Sequence, residues 1–139
     1  MLPRMSSSLK RFRKLPHIVL TNVSDFESFF NNFKKDVLII KNENNQTNTI
    51  IRFEESFLNQ LKNIILIKTI TIENINQSQT YYIMIMKKND QITIRLDPLT
   101  DPKNKTYAVK ISLTKIAKQY KKIDPAISIG KTNLEQYLL

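Results

Sequence analysis

Few residues in this chain have the types and spacing that bond-making chemistry needs. His17 is the one histidine, and it sits in a basic stretch with no carboxylate close by in sequence to orient or charge it. Glu54 and Glu55 are adjacent, so on a helix they project about 100° apart and form no acid/base pair without help from the fold. Gly130-Lys131-Thr132 resembles the end of a phosphate loop, but that motif needs a glycine five positions earlier, where Pro125 stands. There is no cysteine, which excludes disulfides, thiol catalysis and thiolate zinc sites. The remaining carboxylates are scattered, so the sequence calls for no metal and no other cofactor. An enzyme is the least supported class.

The chemistry that does accumulate is cationic. Over Ser112 to Ile123, Leu113, Ile116, Ala117, Tyr120 and Ile123 fall on one side of a helix, and Lys115, Lys118, Lys121 and Lys122 on the other. The four lysines span an arc of about 120°. Like charges at i+3 and i+4 repel by a few tenths of a kcal/mol per pair, and no acidic residue inside the helix relieves them. Such a face is mildly costly unless an anion lies against it. Arg95, Lys103, Lys105 and Lys110 lie just upstream and extend the same sign over a strand and a loop.

Charge is segregated along the whole chain. The 139 residues carry a formal +10. Arg4, Lys10, Arg11, Arg13 and Lys14 open it with no acid before Asp25. Residues 24–86 are close to neutral, with six basic and seven acidic side chains, and 87–131 hold eleven basic against four acidic. Cations gathered at both ends of a neutral middle read as a footprint for a polyanion. In the second block lysines outnumber arginines ten to one, which favours point-charge contact with phosphate over bidentate reading of bases. Tyr81, Tyr82, Tyr107 and Tyr120 lie on mostly apolar faces, where burial is expected rather than base stacking.

The elements that must position these groups can be read from periodicity. Apolar content of 41% implies a folded chain, and the length suits one domain. Ser24 and Glu27 have capping-box spacing, and Phe26, Phe29, Phe30 and Phe33 form the stripe of a helix over about 25–35, read as core. Val37–Ile40 and Thr49–Phe53 read as a hairpin across the Asn-rich 42–48, and Phe57, Leu58 and Leu61 sketch a short helix over about 54–63. Residues 64–73, 80–88, 91–96 and 106–111 alternate as strands. The expected fold is therefore α+β: one small domain, an antiparallel meander over about 64–111 packed by two or three short helices, with a last short helix starting at the Thr132/Glu135 capping box. With a single glycine, Gly130, turns that need positive φ fall to Asn or Asp. No apolar run is long enough for a membrane span.

Residues 1–20 have the Arg- and Ser-bearing, acid-free profile of a mitochondrial transit peptide. A cleaved presequence, a retained basic arm that threads into RNA and a solvated terminus all fit. Pro3 and Pro16 weaken a continuous helix there, which tilts the reading toward the arm. The domain proper is then 21–139.

An arm bearing MSSSLKRFRK, a compact body, and the blocks KKNDQITIR and KTYAVKISLTKIAKQYKK resemble organellar, mitochondrial ribosomal proteins in overall character. The resemblance implies a structural RNA-binding subunit whose contacts to rRNA phosphates are Arg4, Lys10, Arg11, Arg13, Lys14, Arg95, Lys103, Lys105, Lys110, Lys115, Lys118, Lys121 and Lys122. Its partners would be RNA and neighbouring proteins of a large assembly, with no small-molecule substrate, in the mitochondrion or otherwise the cytoplasm. Two other classes stay open: an accessory protein-interaction subunit using the Phe26 to Phe33 helix and strand edges, and a viral or plasmid DNA-binding accessory factor.

Overall fold

The computed structural model describes residues 15–41, 48–74 and 76–138. Seven strands and two α-helices make it up: β1 (His17–Thr21), α1 (Phe26–Asn32), β2 (Val37–Lys41), β3 (Asn48–Leu58), β4 (Ile64–Asn74), β5 (Gln77–Lys88), β6 (Gln91–Leu96), α2 (Tyr107–Ile123) and β7 (Ser128–Thr132). All seven strands join one antiparallel sheet in the order β2-β3-β4-β5-β6-β1-β7, curled into a half-barrel. The expectation of an α+β body, a four-strand meander packed by two or three helices, is thereby corrected. The protein is mostly β, and the helices fill one face of a larger sheet.

Three local readings account for the difference. Residues 54–58 continue β3 instead of opening a helix, because a bulge between Phe53 and Glu55 shifts the register against β4 by one residue. The bulge breaks the period-two alternation and leaves Phe53, Phe57, Leu58 and Leu61 at spacings that mimic a helix. Tyr107–Ile111 is the first part of α2, not a strand: Thr106 caps it by accepting from the Val109 N–H at 3.4 Å. The third concerns the C-terminus, where Thr132 ends β7 and only a single 3-10 turn, Glu135–Tyr137, follows. At α1 the cap is Asp25, which accepts from Ser28 N–H at 2.9 Å, while Ser24 Oγ donates to Asp124 Oδ2 at 3.3 Å. Asn22 and Asn89 do take positive φ, as turns in a glycine-poor chain require, and Lys62 is a third such residue.

The core lies between the sheet and α2. Ile18, Leu20, Ile51, Phe53, Ile65, Ile67, Tyr81, Ile83, Ile85, Ile92 and Ile94 project inward from the alternation of β1, β3, β4, β5 and β6 and meet Val109, Leu113, Ile116 and Tyr120. Phe29 of α1 stacks on Tyr120 with centroids 3.4 Å apart, and Phe33 packs edge-on against Phe53. The Phe26 to Phe33 stripe is thus core, as its spacing predicts. Tyr81 Oη lies 2.8 Å from Ser112 Oγ, which fixes the angle of α2 on the sheet. β1 belongs to this layer although it is sequence-distant from its neighbours, and it takes in four of the first twenty residues.

Candidate functional site

α2 determines where cations can gather. Its first half is enclosed: Ala108, Val109, Ile111, Ser112, Leu113 and Thr114 are all buried, the sheet lying on one side and the C-terminal segment on another, with Tyr137 set edge-on to Tyr107 at 5.6 Å. One stripe is left open along the rest of the helix: it begins at the half-buried Lys110 and Lys115 and continues through the exposed Lys118, Lys121 and Lys122. Lys121 and Lys122 occupy the last turn, where the helix dipole favours positive charge and offsets part of their mutual repulsion. Lys115 and Lys118, farther from that end, gain less from it.

Beside this stripe runs a groove of about 660 Å³ lined by Lys34, Asp36, Leu38, Lys115, Lys118, Gln119 and Lys122 among others. Lys34 comes from the linker between α1 and β2, and it is there because Gln119 holds that linker. The Gln119 side-chain oxygen accepts from Lys34 N–H at 3.1 Å and its NH2 donates to Lys34 C=O at 3.3 Å. Phe53 N–H donates to Asp36 C=O at 3.1 Å and fixes the linker's other end to β3. The lining of the groove therefore brings together four lysines from two segments and one acidic residue, Asp36. Among the described residues none of the four lysines is in an ion pair. Lys34 escapes a reading of the sequence because it sits in the neutral middle of the chain; the Phe29–Tyr120 stack and the Gln119 clamp together bring it to the helix.

The other expected contacts disperse. Lys105 is bound to Asp101 at 2.6 Å and to Pro102 C=O at 2.8 Å, so it staples the 97–105 loop. Lys103 lines a separate hollow near Glu73, Asn76 and Asn104. Arg95 pairs across the sheet with Met84 and His17, on the side turned away from α2. Lys110 and Lys121 share the open stripe without lining the groove. Arg4, Lys10, Arg11, Arg13 and Lys14 lie outside the described residues.

The groups weighed for bond-making chemistry have structural partners. The His17 imidazole Nδ1 lies 3.1 Å from Leu15 C=O, while its backbone N–H donates to Asn133 Oδ1 at 3.1 Å and its backbone C=O accepts from Thr132 Oγ1 at 2.8 Å, tying β1 to the end of β7. Glu54 bridges Lys68 at 3.8 Å and Arg52 at 4.0 Å. Gly130-Lys131-Thr132 runs through β7, an edge strand, and not through a loop that opens a helix. Among the described residues no group of three or more His, Cys, Asp or Glu side chains is placed to hold a metal ion. Of the tyrosines, Tyr81 and Tyr120 are buried, Tyr82 is half-buried and Tyr107 is 51% exposed. Among the described residues no helix is long and apolar enough to cross a membrane. Comparison with protein-family models, with curated proteins and with solved structures gives no match.

Proposed function

We propose that this chain is a structural RNA-binding subunit of a ribonucleoprotein, with a mitochondrial ribosome as the particle, and that the lysine groove beside α2 seats RNA phosphates. One observation carries the reading: Lys34, Lys115, Lys118 and Lys122 converge on one groove that contains a single carboxylate. Folding brings these like charges together against their repulsion, and a phosphate backbone is the counter-charge that makes the arrangement favourable, with counterion release supplying the free energy. The way α2 is held argues for shape-directed contact. With its first half largely enclosed, α2 offers a stripe and not a full face, which favours contact along a backbone over insertion into a DNA major groove. The basic N-terminal segment adds to the same electrostatic term.

The protein-interaction alternative loses its helix surface, since Phe26 and Phe29 are buried and Phe33 packs on Phe53, and keeps only the edges of the sheet at β2 and β7. The test is the triple variant Lys115→Glu, Lys118→Glu, Lys122→Glu. Its circular dichroism and thermal unfolding should match the parent, because all three ammonium groups lie at the surface, and RNA binding in a filter or mobility assay should be lost. Unchanged RNA affinity would refute the assignment, and equal affinity of the parent for duplex DNA and structured RNA would move it to the DNA-accessory class.

A further inference from the structure

The sheet has a second face, and it is apolar in the wrong way for a surface. An antiparallel sheet with one wet side ordinarily alternates apolar inward and polar outward. Here the outward positions of β4 are Ile64, Leu66, Lys68, Ile70 and Ile72, and those of β5 include Tyr82, Met84 and Met86. The register sets Ile64 opposite Met86 and Leu66 opposite Met84, so the side chains form one continuous patch. β3 extends it with Ile50 and Phe57, the latter 6.4 Å from Tyr82 by ring centroids, and β2 with Val37 and Ile39, 53% and 63% exposed. Both helices pack on the opposite face. Among the described residues, no element covers this one.

We infer that this face is a homodimer interface, in which two copies pack sheet against sheet. Two features select a second copy as the occupant. The first is extent: β3, β4 and β5, of 11, 11 and 12 residues, and the five-residue β2, at about 3.3 Å per residue and about 4.8 Å between strands, present roughly 600 Å². Stable interfaces bury about 600 to 1,000 Å² per partner, so the face reaches the lower end of that range. The second is charge. A two-fold interface must be complementary to itself, and a chain of net +10 repels its own copy over most of its surface. The centre of this face is balanced, with Arg52 and Lys68 against Glu54 and Glu55, and Lys41, Lys88 and Arg95 stand at its margins. It is the region where like copies meet without a like-charge penalty, and a pair of sheets at about −30° lets each Arg52/Glu54 cluster meet its mate. Pairing there also directs the two lysine grooves outward on opposite sides, which makes the dimer a bivalent binder.

The inference is independent of RNA, and its test is run on nuclease-treated full-length protein. Sedimentation velocity over ~1 to ~100 µM should show a dimer for the parent. The variant Leu66→Lys, Met84→Glu replaces apolar side chains at paired positions of β4 and β5 by an ion pair that a monomer leaves solvated, whereas a dimer would have to desolvate it in both copies, beyond the Arg52, Glu54 and Lys68 charges already there. It should sediment as a folded monomer, with dimer dissociation weakened about a hundredfold or more. Because the chain has no cysteine, Ile70→Cys gives a second readout with no background. A short bis-maleimide should join Ile70→Cys into a covalent dimer and leave Lys118→Cys, on the helix side, uncoupled. A parent monomeric throughout that range, or a dimer unaffected by Leu66→Lys, Met84→Glu, overturns the proposal. So does a parent that is recovered only as a one-to-one complex with a different protein.

Discussion

Salt dependence offers a quantitative handle on the groove. If Lys34, Lys115, Lys118 and Lys122 each neutralise one phosphate, the groove contributes a slope of log K against log salt of about −2.8 for single-stranded and −3.6 for duplex contacts. Replacing Lys115, Lys118 and Lys122 by Gln removes three of the four charges while keeping an unbranched polar side chain that is slightly shorter. The slope of the variant should then be shallower than that of the parent by about 2 to 2.7. Taking the difference cancels the share of Arg4, Lys10, Arg11, Arg13 and Lys14, which both proteins retain. In practical terms, raising salt fourfold should weaken the groove's share of parent binding by roughly fifty- to 150-fold, and that of the variant by only about three- to fourfold. Fluorescence anisotropy with a structured RNA at four or five salt concentrations measures both slopes. Equal slopes, whatever the change in absolute affinity, would refute the reasoning, because they would mean the three lysines touch no phosphate.

Other consequences concern the clamp and the buried phenols. Gln119→Ala frees the Lys34 linker, so RNA affinity should fall several-fold while unfolding shifts by about 1 kcal/mol or less; an unchanged affinity would remove Lys34 from the site. Tyr120 Oη is buried without a hydrogen-bond partner, whereas Tyr81 Oη meets Ser112 Oγ. Tyr120→Phe should therefore be neutral or stabilise by about 1 kcal/mol and Tyr81→Phe should destabilise by about 1 kcal/mol, as read by urea unfolding. Burial raises the pKa of both phenols well above the usual tyrosine value, and for Tyr81 it outweighs the hydrogen bond to Ser112. The folded state then holds protons that the unfolded chain releases above pH ~10, so stability is full below that pH and falls as pH rises through the alkaline range. The fall should be shallower in Tyr120→Phe.

What could be read from sequence, and what could not, divides along one physical line. Strands β4, β5 and β6 and the core face of α1 follow from local periodicity, and the lysine face of α2 follows from the same arithmetic. β1 is different: its partners are Arg95 to Ile92 on one side and β7 on the other, and five residues following a basic stretch give no local sign of such pairing. The bulge at Phe53/Glu55 is likewise a property of the β3–β4 pair, and its effect on the sequence is to counterfeit a helix. At Tyr107–Ile111, five residues are too few to separate a period of two from one of 3.6, and burial on several sides of α2 removes the polar face that would have decided it. The groove shows the same divide. Lys115, Lys118 and Lys122 were visible as a stripe, but Lys34 joins them through a side-chain amide 85 residues away, and Lys105 leaves them through an ion pair with Asp101. Even the two apolar faces of β5 were legible, Tyr82, Met84 and Met86 alternating with Tyr81, Ile83 and Ile85. Which of the two sides would be left uncovered was not.

The central claim is that this protein is held in its particle through RNA phosphates. Gradient sedimentation of tagged protein from native extract, with and without nuclease, tests it most directly. The account predicts migration with a large particle carrying co-purified RNA, and release to the top of the gradient when the RNA is digested. Migration in a large complex that nuclease leaves intact would contradict it, and would make protein contact, not phosphate, the bond that holds the chain in place.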